Sequence, residues 1–183
     1  MIQKENKNEQ NLAEKKKEVI EITQEVEKQE EKKPEVKKTQ NTEKSKVNLY
    51  FVHIDSDGTI IRKKVVSEIN KSDAPLTNSI KALLAGPSSS SKDIISLIPQ
   101  GTRLLGASVK NGIATLNFSQ EFEFGAITAD SYRAQLMQVV YTATEFSTVE
   151  SVQFLIEGQR KEYMGSEDFQ IWIGSPYKRS SFK

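Results

Sequence analysis

The chain has 183 residues, 26 lysines and arginines against 25 aspartates and glutamates, one histidine and no cysteine. Balanced charge gives no electrostatic case for nucleic acid or an anionic membrane surface. The lack of cysteine excludes thiol catalysis, thiolate metal sites, disulfides and a lipid anchor on an N-terminal cysteine in the chain as given. No run of about 18 apolar residues is present to span a bilayer, and the first stretch has no apolar h-region of a signal peptide.

Met1–Lys46 is half lysine and glutamate, with no aromatic residue and Pro34 as its only proline. Such a segment cannot bury enough apolar surface to offset the entropy of ordering it. Leu12, Val19, Ile22 and Val26 have heptad-like spacing, but Lys15 and Gln29 fall at core positions, and the pattern is shorter than a coiled coil requires. The expectation is a disordered or partly helical linker, with Glu35–Ser45 an extended spacer beyond Pro34.

Composition shifts at Val47, where VNLYFVHI opens a first strand. Asp57-Gly58 makes a turn and Thr59–Val66 returns. Asp55-Ser56-Asp57 resembles the start of a calcium loop, but Val66 stands where the bidentate glutamate belongs, so a polar turn is expected. A helix follows with Asp73 as N-cap, Pro75 in its first turn, and Leu76, Ile80, Leu83 and Leu84 on one stripe. Gly86 stops it and Pro87 forbids continuation. Ser88–Ser91 form a connection, and Asp93–Leu97 are predicted to make one further helical turn before Pro99.

The centre of the chain is Ile98–Phe122. Asn111-Gly112 lies between two β-prone runs, Leu104–Lys110 and Ile113–Phe118, and favours a type I′ hairpin turn. Ala114, Leu116 and Phe118 share one face of the return strand. A second helix is predicted over Asp130–Phe146, covering one sheet face with Tyr132, Leu136, Val139, Val140 and Ala143. Ser151–Ile156 alternates as a strand, Glu157-Gly158 turns it, and Phe169–Ile173 adds a short last strand. The order β-β-α-β-β-α-β describes a compact α/β sandwich.

Candidates for chemistry are few. His53 lies in a strand beside Phe51 and Val52, and no serine sits in a nucleophile elbow. Glu121 and Glu123 could form a hydrolase pair, although solvated edges flanking Phe122 and Phe124 explain them more simply. No glycine pattern matches a phosphate-binding loop.

Six segments carry a resemblance. They are LYF at Leu49–Phe51, LLAGP at Leu83–Pro87, IPQGTRLLG at Ile98–Gly106, NGIATLNFSQEF at Asn111–Phe122, YTATEF at Tyr141–Phe146 and VQFLIEG at Val152–Gly158. In this order they resemble the GerMN domain of bacterial sporulation and spore-germination proteins. The resemblance implies an α+β domain over residues 47–183, a compact two-layer α/β sandwich with a mixed sheet and two helices, like the ring-building modules of secretion and sporulation machines. It implies a non-enzymatic envelope protein acting through protein–protein interaction or assembly. Other envelope proteins or further copies would be its partners. The residues themselves lead to the expectation of no cofactor, metal or nucleic acid, and membrane attachment is expected only through an anchor absent from this sequence. An extracytoplasmic setting is expected, with a cytoplasmic one as the alternative. A cell-wall hydrolase using Glu121, Glu123 or Glu145, or a small-ligand binder, are the competing functions. The motif positions Gly86, Pro87, Asn111, Gly112, Tyr141, Thr142, Thr144 and Glu145 are expected to be structural, with Thr142, Thr144 and Glu145 capping the connection from the second helix to the next strand.

Overall fold

The computed structural model describes residues 43–88, 93–126, 128–166 and 169–183. The linker reading of Met1–Lys46 lies outside these apart from its last few residues, as does most of the Ser88–Ser91 connection. Strands β1 (Lys44–Ile54) and β2 (Ile60–Asn70) form a long antiparallel hairpin. β1 begins at Lys44, inside the stretch that composition assigns to the tail, because a main-chain ladder is indifferent to lysine side chains that point to water. Lys71 N–H donates to the Glu43 carbonyl at 2.9 Å and extends the ladder one step further.

Helix α1 (Pro75–Leu84) buries Leu76, Ile80 and Leu83 as the spacing predicts. Its N-cap is Ala74, not Asp73, and no side chain caps it. Ser72 Oγ accepts the Ala74 N–H instead, at 3.2 Å. Gly86 follows the helix with its N–H bonded to the Leu83 carbonyl (3.0 Å). The helical turn expected at Asp93–Leu97 does not form. Ile95 pairs with Val52 through two main-chain bonds (2.8 and 3.0 Å). The exposed outer edge of β1 competes for these groups better than an isolated helical turn can.

Strands β3 (Leu104–Lys110), β4 (Ile113–Phe118) and β5 (Ser151–Ile156) form a mixed sheet, β3–β4 antiparallel and β4–β5 parallel. Asn111 (φ 52°) and Gly112 (φ 74°) make the primed turn, and Gly112 O accepts from Glu150 N–H at 2.7 Å. A Cβ on Gly112 would lie 3.2 Å from the Glu150 side chain. Gly112→Ala is therefore expected to cost about 1–2 kcal/mol. Urea unfolding checks it, and an unchanged midpoint would contradict it.

A 3-10 turn (Gln120–Glu123) leads to helix α2 (Ala129–Ala143), capped by Thr128, whose side chain accepts the Ser131 N–H at 3.1 Å. The helix ends three residues before the predicted Phe146 and is buried on more than one side. Tyr132, Leu136, Val139, Val140 and Ala143 enter the main core with Phe118 and Phe154. Ala134, Met137 and Tyr141 meet Tyr50 and Val52 in a second cluster. One face of β1 thus joins each cluster, which is why that strand reads as a continuous apolar run.

After β5, strands β6 (Tyr163–Gly165) and β7 (Gln170–Trp172) make a small antiparallel sheet, and a second 3-10 turn spans Arg179–Phe182. β6 is additional to the strands expected from sequence. Both helices touch the hairpin and each other, α1 also reaching β3 and α2 reaching β5 and β7. The described residues form a mixed α+β domain with two helices.

Candidate functional site

The motif residues separate into three places. Gly86 and Pro87 close α1, and Asn111 and Gly112 form the central turn. Only Tyr141, Thr142, Thr144 and Glu145 come together, at the C-terminal end of α2. Thr144 is the C-cap of α2, and its hydroxyl donates to the Val140 carbonyl (2.7 Å). Thr142 and Glu145 do not serve the connection to β5; they reach back to β1. Thr142 Oγ1 accepts the Tyr50 N–H at 3.1 Å, satisfying an outward main-chain donor of β1. Glu145 accepts from Asn48 Nδ2 (2.6 Å), from the Tyr50 hydroxyl (2.7 Å) and from the Arg179 guanidinium.

Arg179 is the residue that sequence reasoning missed. Besides Glu145 it donates to Thr144 Oγ1 (2.7 Å) and the Tyr141 carbonyl (3.0 Å). Its guanidinium lies 4.9 Å from the centre of the Tyr141 ring and 5.6 Å from that of Tyr50. Arg62 covers Tyr141 from β2, 3.9 Å from the ring centre. No local signal marks Arg179, because its partners lie 34–38 positions away.

Burial alone would push the Glu145 carboxyl up. The bonds from Asn48, Arg179 and Tyr50, with the Arg179 charge, outweigh it and hold the group at about 2 against an ordinary 4.5. Tyr50 moves the other way, raised by burial and by its bond to the anionic Glu145. A carboxyl depressed on folding stabilises the folded chain above its ordinary value, and that contribution is lost as pH falls from 4.5 towards 2. The side chain is about a quarter exposed, so after solvent screening the contribution is about 1–2 kcal/mol. Glu145→Gln is expected to lose this much at neutral pH and to match the native chain near the acid end. Urea midpoints measured across that interval decide it: parallel curves for the two proteins would refute the network's role.

Chemically this cluster is saturated. Glu145 is anionic and already accepts three donors, and the Thr144 hydroxyl is occupied as both donor and acceptor. The other candidates are also bound to their own surroundings. His53 Nδ1 donates to the Asp93 carbonyl (2.7 Å). In the β1–β2 turn Asp55 and Asp57 accept main-chain N–H groups of Ser56 and Thr59 (2.8 and 2.9 Å), and the Thr59 bond pulls the Asp57 carboxyl down. Glu123 is not a solvated edge but nearly buried, with Lys161 Nζ at 2.5 Å. Glu121 is exposed, 4.0 Å from Arg103, and a hydrogen bond with Ser119 lowers its carboxyl. Among the described residues no group of three or more His, Cys, Asp and Glu side chains could hold a metal.

Beside the cluster runs an open groove of about 740 Å³ between the tip of the β1–β2 hairpin and α2. Ile60, Ala134, Met137 and Phe182 line it with apolar surface, and Arg62 and Arg133 with Asp57 and Asp130 add charge of both signs. Arg133 donates to the Ser181 carbonyl at 2.7 Å, which ties the last 3-10 turn to this wall.

Fold and site together define a small mixed α+β domain whose polar motif at the end of α2 is spent on internal contacts. The family profile described as "Germane: Sporulation and spore germination" matches residues 48–162, more than half of the sequence, and the chain belongs to that family. Solved structures share the fold. The tandem GerMN domains of the sporulation protein GerM from Bacillus subtilis superpose with a TM-score of 0.62 at 22% identity, over 80% of this chain and 49% of theirs. This chain therefore spans about half the length of that structure. The first GerMN domain of the same protein gives 0.57 at 23% identity, over 74% and 98%. A candidate lipoprotein from Clostridium perfringens gives 0.54 at 21% identity, over 75% and 89%. No curated protein matches the chain significantly.

Proposed function

We propose that this chain is a non-enzymatic module of the bacterial envelope whose GerMN domain mediates protein–protein interaction or assembly. The observation that carries this reading is where the molecule spends its polar groups and where it leaves surface open. The polar motif at the end of α2 is used up internally, whereas β3 is exposed at all but its first residue, Leu105 and Val109 included. Exposed apolar residues on the edge strand of a sheet suit a partner surface. The lipoprotein description of one structural relative supports an envelope setting.

Photo-crosslinking groups placed at Leu105 and Val109 test the reading in fractionated cells. A specific adduct with an envelope protein is expected, and the absence of any adduct from both sites would overturn it. A hydrolase would be revealed if purified cell wall were digested and if Glu121→Gln, Glu123→Gln or Glu145→Gln abolished that digestion. The groove beside α2 favours small-ligand binding as a second reading, and a thermal shift with muropeptides that disappears in Met137→Glu would support it.

A further inference from the structure

The β1–β2 ladder fixes which main-chain groups of β2 are free. Asp55 N–H bonds to Thr59 O and Lys71 N–H bonds to Glu43 O, at opposite ends of one register. Hydrogen-bonded pairs in an antiparallel ladder recur every second residue, so the odd-numbered residues of β2 bond to β1. The even-numbered residues, Arg62, Lys64, Val66 and Glu68 among them, turn their N–H and C=O groups away from it. On β1 the corresponding outward groups are covered in part, the Tyr50 N–H by Thr142 and both groups of Val52 by Ile95. On β2 only the Asn70 carbonyl has a described partner, Asn78 Nδ2 at 3.4 Å. β2 is an 11-residue strand, about twice the usual length, with a bare edge. The outer edge of β3, by contrast, is interrupted by a bulge between Leu104 and Gly106.

We propose that β2 is a self-association edge that pairs antiparallel with β2 of a second copy about a two-fold axis at Val66. The register follows from the side chains. Val66 is 61% exposed, the most exposed large apolar residue described. A two-fold at this position sets Val66 against its own copy in a hydrogen-bonded pair, with each giving and accepting a main-chain bond. Two residues to either side it sets Lys64 against Glu68, twice, on the same face. The cationic and anionic halves of the strand are thereby self-complementary only when it runs antiparallel to itself. The register also puts Arg62 opposite Asn70, leaving the Arg62 guanidinium on Tyr141.

This inference deepens the interaction reading above and rests on it. Sedimentation of the full chain over a range of concentrations tests it. A dimer is expected for the native protein. Val66→Pro deletes an N–H that the fold does not use and should give a monomer whose urea midpoint matches the native chain's at dilutions where the native chain is itself monomeric. Glu68→Lys places lysines opposite one another and should weaken the dimer about tenfold or more, and adding Lys64→Glu should restore it. A monomer at every concentration, a dimer that survives Val66→Pro, or a charge swap that fails to rescue Glu68→Lys would each overturn the proposal. A monomer that still forms an envelope adduct through β3 would end this inference and leave the interaction reading standing.

Discussion

Phe122→Ala is expected to lower the unfolding free energy by about 3–5 kcal/mol, the range for emptying a large aromatic site in a packed core. Phe122 is fully buried although it lies in a four-residue 3-10 turn between β4 and α2. Its ring stacks on Phe118, with centroids 4.2 Å apart, and faces Phe154 at 5.8 Å. Its main chain is held on both sides. The N–H donates to Ser119 O at 3.0 Å, and the carbonyl accepts from the buried Gln135 Nε2 at 2.6 Å. Those bonds fix the turn, so the backbone cannot collapse into the space left by the ring. The removed contacts therefore stay unmade. Urea unfolding should show a lower midpoint with an unchanged slope. A loss smaller than about 1.5 kcal/mol would mean that the turn relaxes into the gap. Phe122→Leu should cost less, because it keeps most of the volume.

Gly165→Ala is expected to cost about 3 kcal/mol or more, by a different mechanism. Gly165 ends β6 at φ 117°, a backbone region that side chains rarely enter. A Cβ there would collide with the Phe169 carbonyl oxygen and lie 3.2 Å from the Tyr132 ring. Neither neighbour can yield cheaply. The carbonyl belongs to the turn preceding β7, and Tyr132 is a buried residue of α2 whose hydroxyl bonds to the Glu123 carbonyl (3.1 Å). The strain would open the β6–β7 pair before the main sheet. Amide hydrogen exchange at Met164 and Ile171 should speed up more than at Leu116 and Phe154. Equal acceleration throughout would show global unfolding without that local step.

These two positions differ in how far the sequence discloses them. The β3–β4 hairpin and β5 were legible to the residue, since Asn111-Gly112 states its turn type and the alternation around it is local. The helices were legible from their apolar spacing, and their ends were less so. The expected continuation of α2 to Phe146 gives way at Thr144, where the helix end is pulled towards β1 and Arg179. Glu123 looks like a solvated edge because its partner, Lys161, lies 38 residues on. Ile95 looks helical because Val52, with which it pairs, lies in another element. A three-residue strand such as β6 has no periodicity to read and exists only through its pairing with β7. In the candidate site, Tyr141, Thr142, Thr144 and Glu145 stand out as a sequence motif. Their shared purpose does not, because Asn48, Tyr50 and Arg179 are brought to them by the fold.

The outer edge of β1 is covered at Tyr50 and Val52 by pieces contributed later in the chain. Ile95 arrives about midway, and Thr142 is 92 residues beyond Tyr50. During synthesis from the N-terminus, at about 5–20 residues per second, roughly 5–20 seconds separate the emergence of Tyr50 from that of Thr142. Until Ile95 arrives the β1–β2 hairpin is a ribbon open on both sides, and until Thr142 arrives the Tyr50 N–H stays without its partner. The nascent chain is then at its stickiest, and it is the arrival of α2 that ends the exposure of β1.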